Sequence, residues 1–295
     1  MLTVKNLNKN FGKVQAVKDV SFHVQEGSMF AFLGTNGAGK STVIHMLLQL
    51  ITPTSGFIRF STDDVPGVVF QSHRLDDALT IEENLLARAK LHGLSTSAAK
   101  ARVEDLLKKT NLLGQRKRKY GTCSGGEKRK TDIMRALIHE PKLLILDEPT
   151  TGLDVESRVE IWEMLRDLQA EQGLTIFLTT HYIEEAADAD HVVIMHEGKV
   201  EVEGTPAALK EQYAETVLTL YSLELEGLTK KLRESDIRFE LEKDSCVISL
   251  QTSVDAIEIL QLVEGYISRF TLKEASLEEV FIQMTKQMKW QVMKE

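Results

Sequence analysis

Gly34-Thr35-Asn36-Gly37-Ala38-Gly39-Lys40-Ser41 follows the apolar run 29–33 and opens a stretch, 40–50, with helical periodicity. The octapeptide fits G-x-x-x-x-G-K-[ST] at every specified position, in the strand–loop–helix context that the pattern needs. Glycines let such a loop curl until successive backbone N–H groups face phosphate oxygens, and the helix start adds a field that favours an anion. Lys40 is then the side chain that reaches the β- and γ-phosphates, and Ser41 offers its hydroxyl to Mg²⁺. Gly34, Asn36, Gly37, Ala38, Gly39 and Thr42 complete the expected phosphate-binding set. The bland alternative is a glycine-rich turn that only joins a strand to a helix.

Downstream, residues 143–146 form a second continuous apolar run that ends in Asp147-Glu148. A buried strand delivers its C-terminal residues to the ligand edge of an open sheet. Asp147 is expected in the Mg²⁺ shell. Glu148 is next along the strand, points differently, and can address an attacking water. By itself this pair reads equally well as a solvated acidic strand end. Further apolar runs at 175–179 and 191–195 alternate with the helical stretch 155–172, which argues for a parallel sheet covered on both faces.

Toward the N-terminus, 2–7 and 20–24 read as strands, as do 58–60 and 68–70. Thr80-Ile81-Glu82-Glu83 is a capping box that opens a helix to about 92. Residues 97–109 and 124–138 read as two more helices, the second stopped before Pro141. After Gly204-Thr205-Pro206 and one helix comes the order strand 217–223, helix 228–234, strand 237–241, strand 246–250, helix 254–263, strand 266–272. A β-α-β-β-α-β series suggests a small split βαβ domain. Ser276-Leu277-Glu278-Glu279 is a further capping box, ahead of a final helix.

Composition bounds the function. The chain has 295 residues, 42% hydrophobic and 27% charged, which suits a globular protein and not a disordered one. Net charge is −8, and both parts on either side of Gly204 carry more acid than base, so no nucleic-acid partner is expected. The two cysteines, Cys123 and Cys246, make no zinc spacing and no disulfide framework, in keeping with a reducing cytosol. The opening MLTVKNLNKN lacks the apolar core of a signal peptide, and no run approaches the ~20 apolar residues of a membrane span. A membrane role therefore needs a second chain to supply the spans.

With these pieces in place the chain resembles the ATP-binding cassette (ABC) ATPases. Cys123-Ser124-Gly125-Gly126-Glu127 resembles the family signature, usually Leu-Ser-Gly-Gly-Gln, and 147–154 resembles the acidic strand end running into the loop that closes with Asp154. Gln71 is similar in place to the Q-loop glutamine, His181 to the switch histidine, and Phe11 to the aromatic that stacks on adenine. The order and spacing match across 1 to about 213. Residues from Thr216 on resemble the C-terminal domain of drug- and antibiotic-exporter ATPases.

The resemblance implies an α/β P-loop NTPase cassette over 1–213: a mixed sheet with helices on both faces, plus a helical signature subdomain. A small α+β ferredoxin-like domain follows over 214–295. It implies ATP and Mg²⁺ as ligands, a head-to-tail dimer of two ATPase subunits, and a transmembrane permease as partner. It implies catalysis through Glu148, His181, Lys40 and Gln71, a metal shell of Ser41, Gln71 and Asp147, and a γ-phosphate contact from Ser124, Gly125 and Gly126 of the opposite subunit, with Asp154 communicating across the interface. Membrane contact would come only through the permease, at the cytoplasmic face. Three departures stand out. Cys123 replaces Leu, Glu127 replaces Gln, and 56–71 is shorter than usual, which trims the strand region near the base. Two readings compete with an exporter ATPase. One is a cassette ATPase of translation or repair, against which stand the single phosphate loop and the short 50–124 segment. The other is a binding module with a dead site, against which stand the intact Lys40, Asp147, Glu148 and His181.

Overall fold

The computed structural model describes residues 1–292, with side chains through 284. Met1–Gly204 and Thr205–Glu295 form two compact units.

The first unit is built on two sheets. A three-stranded antiparallel sheet has the order β2-β1-β4, from β1 (Leu2–Phe11), β2 (Val14–Val24) and β4 (Ser55–Phe60). A six-stranded sheet has the order β5-β6-β7-β3-β8-β9. Its members are β3 (Met29–Leu33), β5 (Gly67–Val69), β6 (Leu143–Asp147), β7 (Thr175–Thr180), β8 (His191–His196) and β9 (Lys199–Gly204). All neighbours there pair in parallel except β8 with β9. Every residue of β3, β6 and β7 is buried, which is why these strands read as continuous apolar runs instead of alternating ones. The core holds Phe22, Phe30, Phe32 and Phe177, with ring centroids 5.1 to 6.1 Å apart. Each such ring contributes roughly 1.5–3 kcal/mol through burial.

Helix α1 (Lys40–Leu47) follows β3, and α5 (Val155–Gln172) and the short α6 (Ile183–Ala187) flank β7. Between β5 and β6 the chain makes α2 (Ile81–Leu91), α3 (Thr96–Lys109) and α4 (Gly125–Leu137), the helical subdomain. The Thr80 capping box forms in full, and so does a second one in which Ser124 caps α4 against Glu127. Both satisfy backbone N–H groups that a helix start leaves free.

The second unit opens with α7 (Pro206–Tyr213) and continues β10 (Thr216–Tyr221), α8 (Leu225–Glu234), β11 (Glu240–Leu241), β12 (Ser245–Leu250), α9 (Asp255–Val263), β13 (Arg269–Lys273) and α10 (Leu277–Val292). Its antiparallel sheet has the order β11-β12-β10-β13, the arrangement of a ferredoxin-like domain. Leu218, Leu220, Cys246 and Ile248 face Leu228, Leu232, Ala256 and Val263 in its own core.

Several boundaries move. β1 and β2 run longer than 2–7 and 20–24, because residues 8–19, largely exposed and mixed in polarity, continue the hairpin across Gly12, whose φ is +58°. β11 shrinks from 237–241 to two exposed residues. The edge strand β9, with its charged outer face, and α6 are additions that the apolar pattern does not announce. The expected division at 213/214 falls earlier, at 204/205, because α7 packs on α10 inside the second unit. At Ser276 only half of the capping box forms. Ser276 Oγ accepts from Glu279 N at 3.3 Å, while the Glu279 carboxylate takes Lys273 Nζ at 2.7 Å. Among the described residues, no helix is long and apolar enough to cross a membrane.

Candidate functional site

Parallel pairing sets the geometry. Leu33 lies beside Thr180, and Thr179 beside Asp147, so β3, β7 and β6 end on one edge of the sheet. β5 pairs with β6 with Val69 beside Leu146, and delivers Gln71 to the same edge. The loop 34–39, the acid pair, Gln71 and His181 therefore meet at the point where β3 sits between two strands that come far later in the chain.

A cavity of about 470 Å³ lies there, lined among others by Asn36, Lys40, Ser41, Gln71, Glu148 and His181. Backbone space at its wall is tight. A Cβ on Gly34 would stand 2.4 Å from the Met195 carbonyl, and one on Gly39, at φ +104°, would stand 2.6 Å from the Ala16 carbonyl. Gly37, at φ +82°, faces open space, so only its backbone conformation calls for glycine.

Lys40 is buried, and its Nζ donates to the carbonyls of Gly34 at 2.7 Å and Thr35 at 3.1 Å, which curls the loop around its own side chain. Burial pushes the Lys40 pKa below its ordinary value, and the nearby Glu148 and Asp147 carboxylates oppose that shift. Lys40 Nζ stands 3.8 Å from Glu148 Oε1. Asp147 Oδ1 accepts from Thr179 Oγ1 at 2.6 Å and from Ser41 Oγ at 3.3 Å. Glu148 adopts a left-handed φ of +47°, and its N–H donates to the Thr179 carbonyl at 3.1 Å. That turn swings the Glu148 side chain off the strand direction, toward the loop. Its Oε2 accepts from Gln71 Nε2 at 3.3 Å and from Thr151 Oγ1 at 3.0 Å. His181 Nδ1 lies 3.3 Å from the same oxygen, without the angle of a hydrogen bond.

The oxygen donors suit a hard divalent cation. Ser41 Oγ and the Asp147 carboxylate stand 3.3 Å apart and Gln71 lines the same cavity as Ser41; hydroxyl, carboxylate and carbonyl oxygens are what Mg²⁺ takes. Among the described residues, no group of three or more His, Cys, Asp or Glu side chains could hold a metal ion. So few protein donors would leave the shell of a cation here open to water and to phosphate oxygens.

The other anticipated residues lie outside the cavity lining. Ser124 caps α4, accepting from Glu127 N at 3.2 Å, and its neighbour Gly126 packs so closely that a Cβ would sit 2.3 Å from Ser157 Oγ. Asp154 caps α5 through Ser157 N and Oγ, both at 2.9 Å, and this holds the Asp154 carboxyl below the usual range. Phe11 is about half exposed at the end of β1, with Lys9 Nζ 5.0 Å over its ring.

Several contributors carried no signal of their own in the sequence. Thr179 fixes Asp147, and Thr151 fixes Glu148. Glu185 is buried and accepts from Thr150 Oγ1 and from Thr180 Oγ1, so it ties the segment after Glu148 to the residue before His181. Arg129, almost fully buried, donates from Nη1 to the Phe70 carbonyl at 2.7 Å and from Nη2 to the Gln71 carbonyl at 2.8 Å. Only the strand-end position of the threonines could have pointed to them.

Comparison with known proteins follows the same line. Residues 17–151 match the family model described as ABC transporter, and 204–285 match that of the ATP-binding protein DrrA1-3-like C-terminal domain. The chain is 37% identical over 296 residues to the Nod factor export ATP-binding protein I of Burkholderia lata, covering 95% of each. It is 35% identical over 297 residues to the protein of the same name from a Rhizobium species, covering 96% of each. Among solved structures, a dimeric, post-hydrolysis ATP-binding cassette bound to ADP and Pi is 28% identical, with a TM-score of 0.63, over 70% of this chain and 98% of that one. The cbiO1 protein of Clostridium perfringens, described as part of an ABC transporter complex, is 30% identical with a TM-score of 0.66, over 79% of this chain and 94% of that one.

Proposed function

The chain belongs to the ABC transporter family as an ATP-binding, ATP-hydrolysing subunit, and we propose that it works as a homodimer that sandwiches two ATP molecules and energises a separate membrane permease. The observation that carries this reading is the meeting of Lys40, Ser41, Gln71, Glu148 and His181 around one cavity of about 470 Å³, with Asp147 hydrogen-bonded to Ser41 behind them.

In this reading the loop 34–39 and the N-terminus of α1 hold the β- and γ-phosphates, and Lys40 places its ammonium between them. Ser41, Asp147 and Gln71 would hold Mg²⁺, which would supply positive charge to the phosphate oxygens. The Glu148 carboxylate, now occupied by Gln71 and Thr151, turns to the attacking water and takes its proton. His181 donates to the γ-phosphate. Phe11 stacks on the base. Ser124, Gly125 and Gly126 contact the γ-phosphate held by the opposite subunit, and a two-fold axis makes these contacts reciprocal. Asp154 communicates between the two sites. Hydrolysis removes the group that both subunits touch, and the dimer opens.

The names of the relatives favour export, and the helical subdomain after Gln71 is where the permease would dock. The protein would then lie at the cytoplasmic face of the membrane, held there by that partner. The first unit, Met1–Gly204, would carry all of the chemistry, and the C-terminal unit would regulate or dimerise. The test is copurification of the tagged full chain from detergent-solubilised membranes, paired with ATP hydrolysis by the purified chain. A multi-span membrane protein in the eluate and hydrolysis that stops on chelation of Mg²⁺ are expected. Hydrolysis that persists with EDTA, or a chain that never enters the membrane fraction, would overturn the reading.

A further inference from the structure

Glu127 stands in the signature where a neutral glutamine is usual, and its surroundings are specific. Glu127 Oε2 accepts from Ser124 N at 2.7 Å, and both of its oxygens accept from Arg118 Nη1 at 3.0 Å. The same guanidinium reaches on through Nη2 to the Thr122 carbonyl at 2.6 Å. One arginine thereby closes the loop 122–127 on itself. Ser124 Oγ accepts from Glu127 N, so its own proton stays free to donate outward.

A carboxylate at this spot poses an electrostatic problem. The first turn of a helix attracts anions, and a carboxylate there uses the same field that an incoming phosphate would use. A glutamine would fill the place without charge. Glu127 is only 19% exposed, so water screens it incompletely. Arg118 itself is 45% exposed, so water screens its side of the pair and the contribution of the pair to folding is modest.

We propose that Arg118 is a positioning residue of the signature: it neutralises Glu127 and fixes the loop 122–127, so that the start of α4 presents a net attraction to the γ-phosphate bound by the opposite subunit. This rests on the reading that the signature contacts ATP in trans. Arg118 acts through Glu127 and Ser124 and touches no substrate.

The experiment uses the full chain carrying Glu148→Gln, which slows turnover, and follows ATP-driven dimerisation by light scattering. Arg118→Met should raise the ATP concentration for half-dimerisation about tenfold, because the negative charge of Glu127 is then no longer neutralised and repels the phosphate. Adding Glu127→Gln should bring it back to within about threefold of the parent, and raising salt toward about 0.5 M should shrink the Arg118→Met defect. A double variant as poor as the single one, or an Arg118→Met protein that dimerises like the parent, overturns the inference. Should Arg118→Met fail to fold by circular dichroism, Arg118→Gln keeps a donor for Thr122 and takes its place, with the same outcomes. Gly125→Asp separates the two levels. If it leaves dimerisation intact, the trans reading itself fails. If it blocks dimerisation while Arg118→Met does nothing, only the role of Arg118 fails.

Discussion

Arg129 on α4 holds the main chain of Gln71, its Nη2 donating to the Gln71 carbonyl at 2.8 Å while Nη1 takes the preceding carbonyl of Phe70 at 2.7 Å. Arg129 therefore ties α4 to the loop that carries Gln71. Burial pushes the Arg129 pKa down, opposed chiefly by Asp132.

Replacing Arg129 with Met leaves the Phe70 and Gln71 carbonyls without their guanidinium partner. The expected loss is about 2–4 kcal/mol of stability, the sum of two unmade buried bonds. Chemical denaturation reads it, and ATP hydrolysis should fall by more than the folded fraction does. A variant with unchanged denaturation midpoint would show that water replaces the guanidinium.

Glu148→Gln keeps the shape at the strand end and the contact with Thr151, but cannot accept a proton. Turnover should fall by about 10²–10⁴, the usual worth of a positioned general base. ATP binding should persist, and an ATP-dependent species of doubled mass should accumulate in light scattering. Hydrolysis within twofold of the parent would remove Glu148 from the role of base.

Cys123→Leu should be tolerated. Cys123 is half-buried, burial holds its thiol pKa above the ordinary value, and its side chain donates a weak Sγ bond to the Lys119 carbonyl at 3.4 Å. The change removes a weak bond and adds apolar volume at a partly open position, so the shift should stay within about 1 kcal/mol. Loss of soluble protein, or a fall in hydrolysis, would show that the pocket is tighter than its exposure implies.

Acidification should weaken the fold through His92 and His139. Their rings stack 4.2 Å apart at 3°, and burial lowers both pKa values, helped at His92 by His139 and at both by Arg88 and Arg135. A histidine whose folded pKa lies below its unfolded 6.5 contributes stability that is complete above pH 6.5. That contribution declines as pH falls below 6.5 and levels off once pH passes the folded values. The unfolding midpoint should therefore drop between pH 7 and pH 5, and the drop should be smaller in His92→Gln. An identical pH profile for the two proteins would exclude the stack as a source.

How much of this was legible depends on the length scale of the signal. Lys40, Ser41, Asp147 and Glu148 sit in short motifs whose chemistry constrains neighbours, so their places could be read directly. The parallel sheet was legible in 143–146 and 175–179, because a strand covered on both faces has no polar alternation. The edge strand β9 was not, since Glu201 and Glu203 face outward and break the apolar run. Arg129 lies in a Lys-Arg-Lys run with the look of a solvated helix face, yet it is nearly buried. Its partners are backbone carbonyls 58 and 59 residues away, and carbonyls have no sequence identity. The second unit starts at Thr205 and not at 214 for a similar reason. A helix following a turn looks the same on paper whichever core it joins.

The insertion of β3 between β7 and β8 also has a consequence for the newborn chain. β3 leaves the ribosome early, carrying Phe30 and Phe32, yet neither of its sheet neighbours exists until residues 175 and 191 are made. At about 5–20 residues per second, these aromatic side chains wait on the order of 10 to 30 s before their strand partners are synthesised. The order of synthesis therefore delays the nucleotide-binding edge beyond the first hairpin. It leaves a nascent intermediate with exposed apolar strand that a chaperone would hold, and that a stalled or truncated transcript would deliver to aggregation.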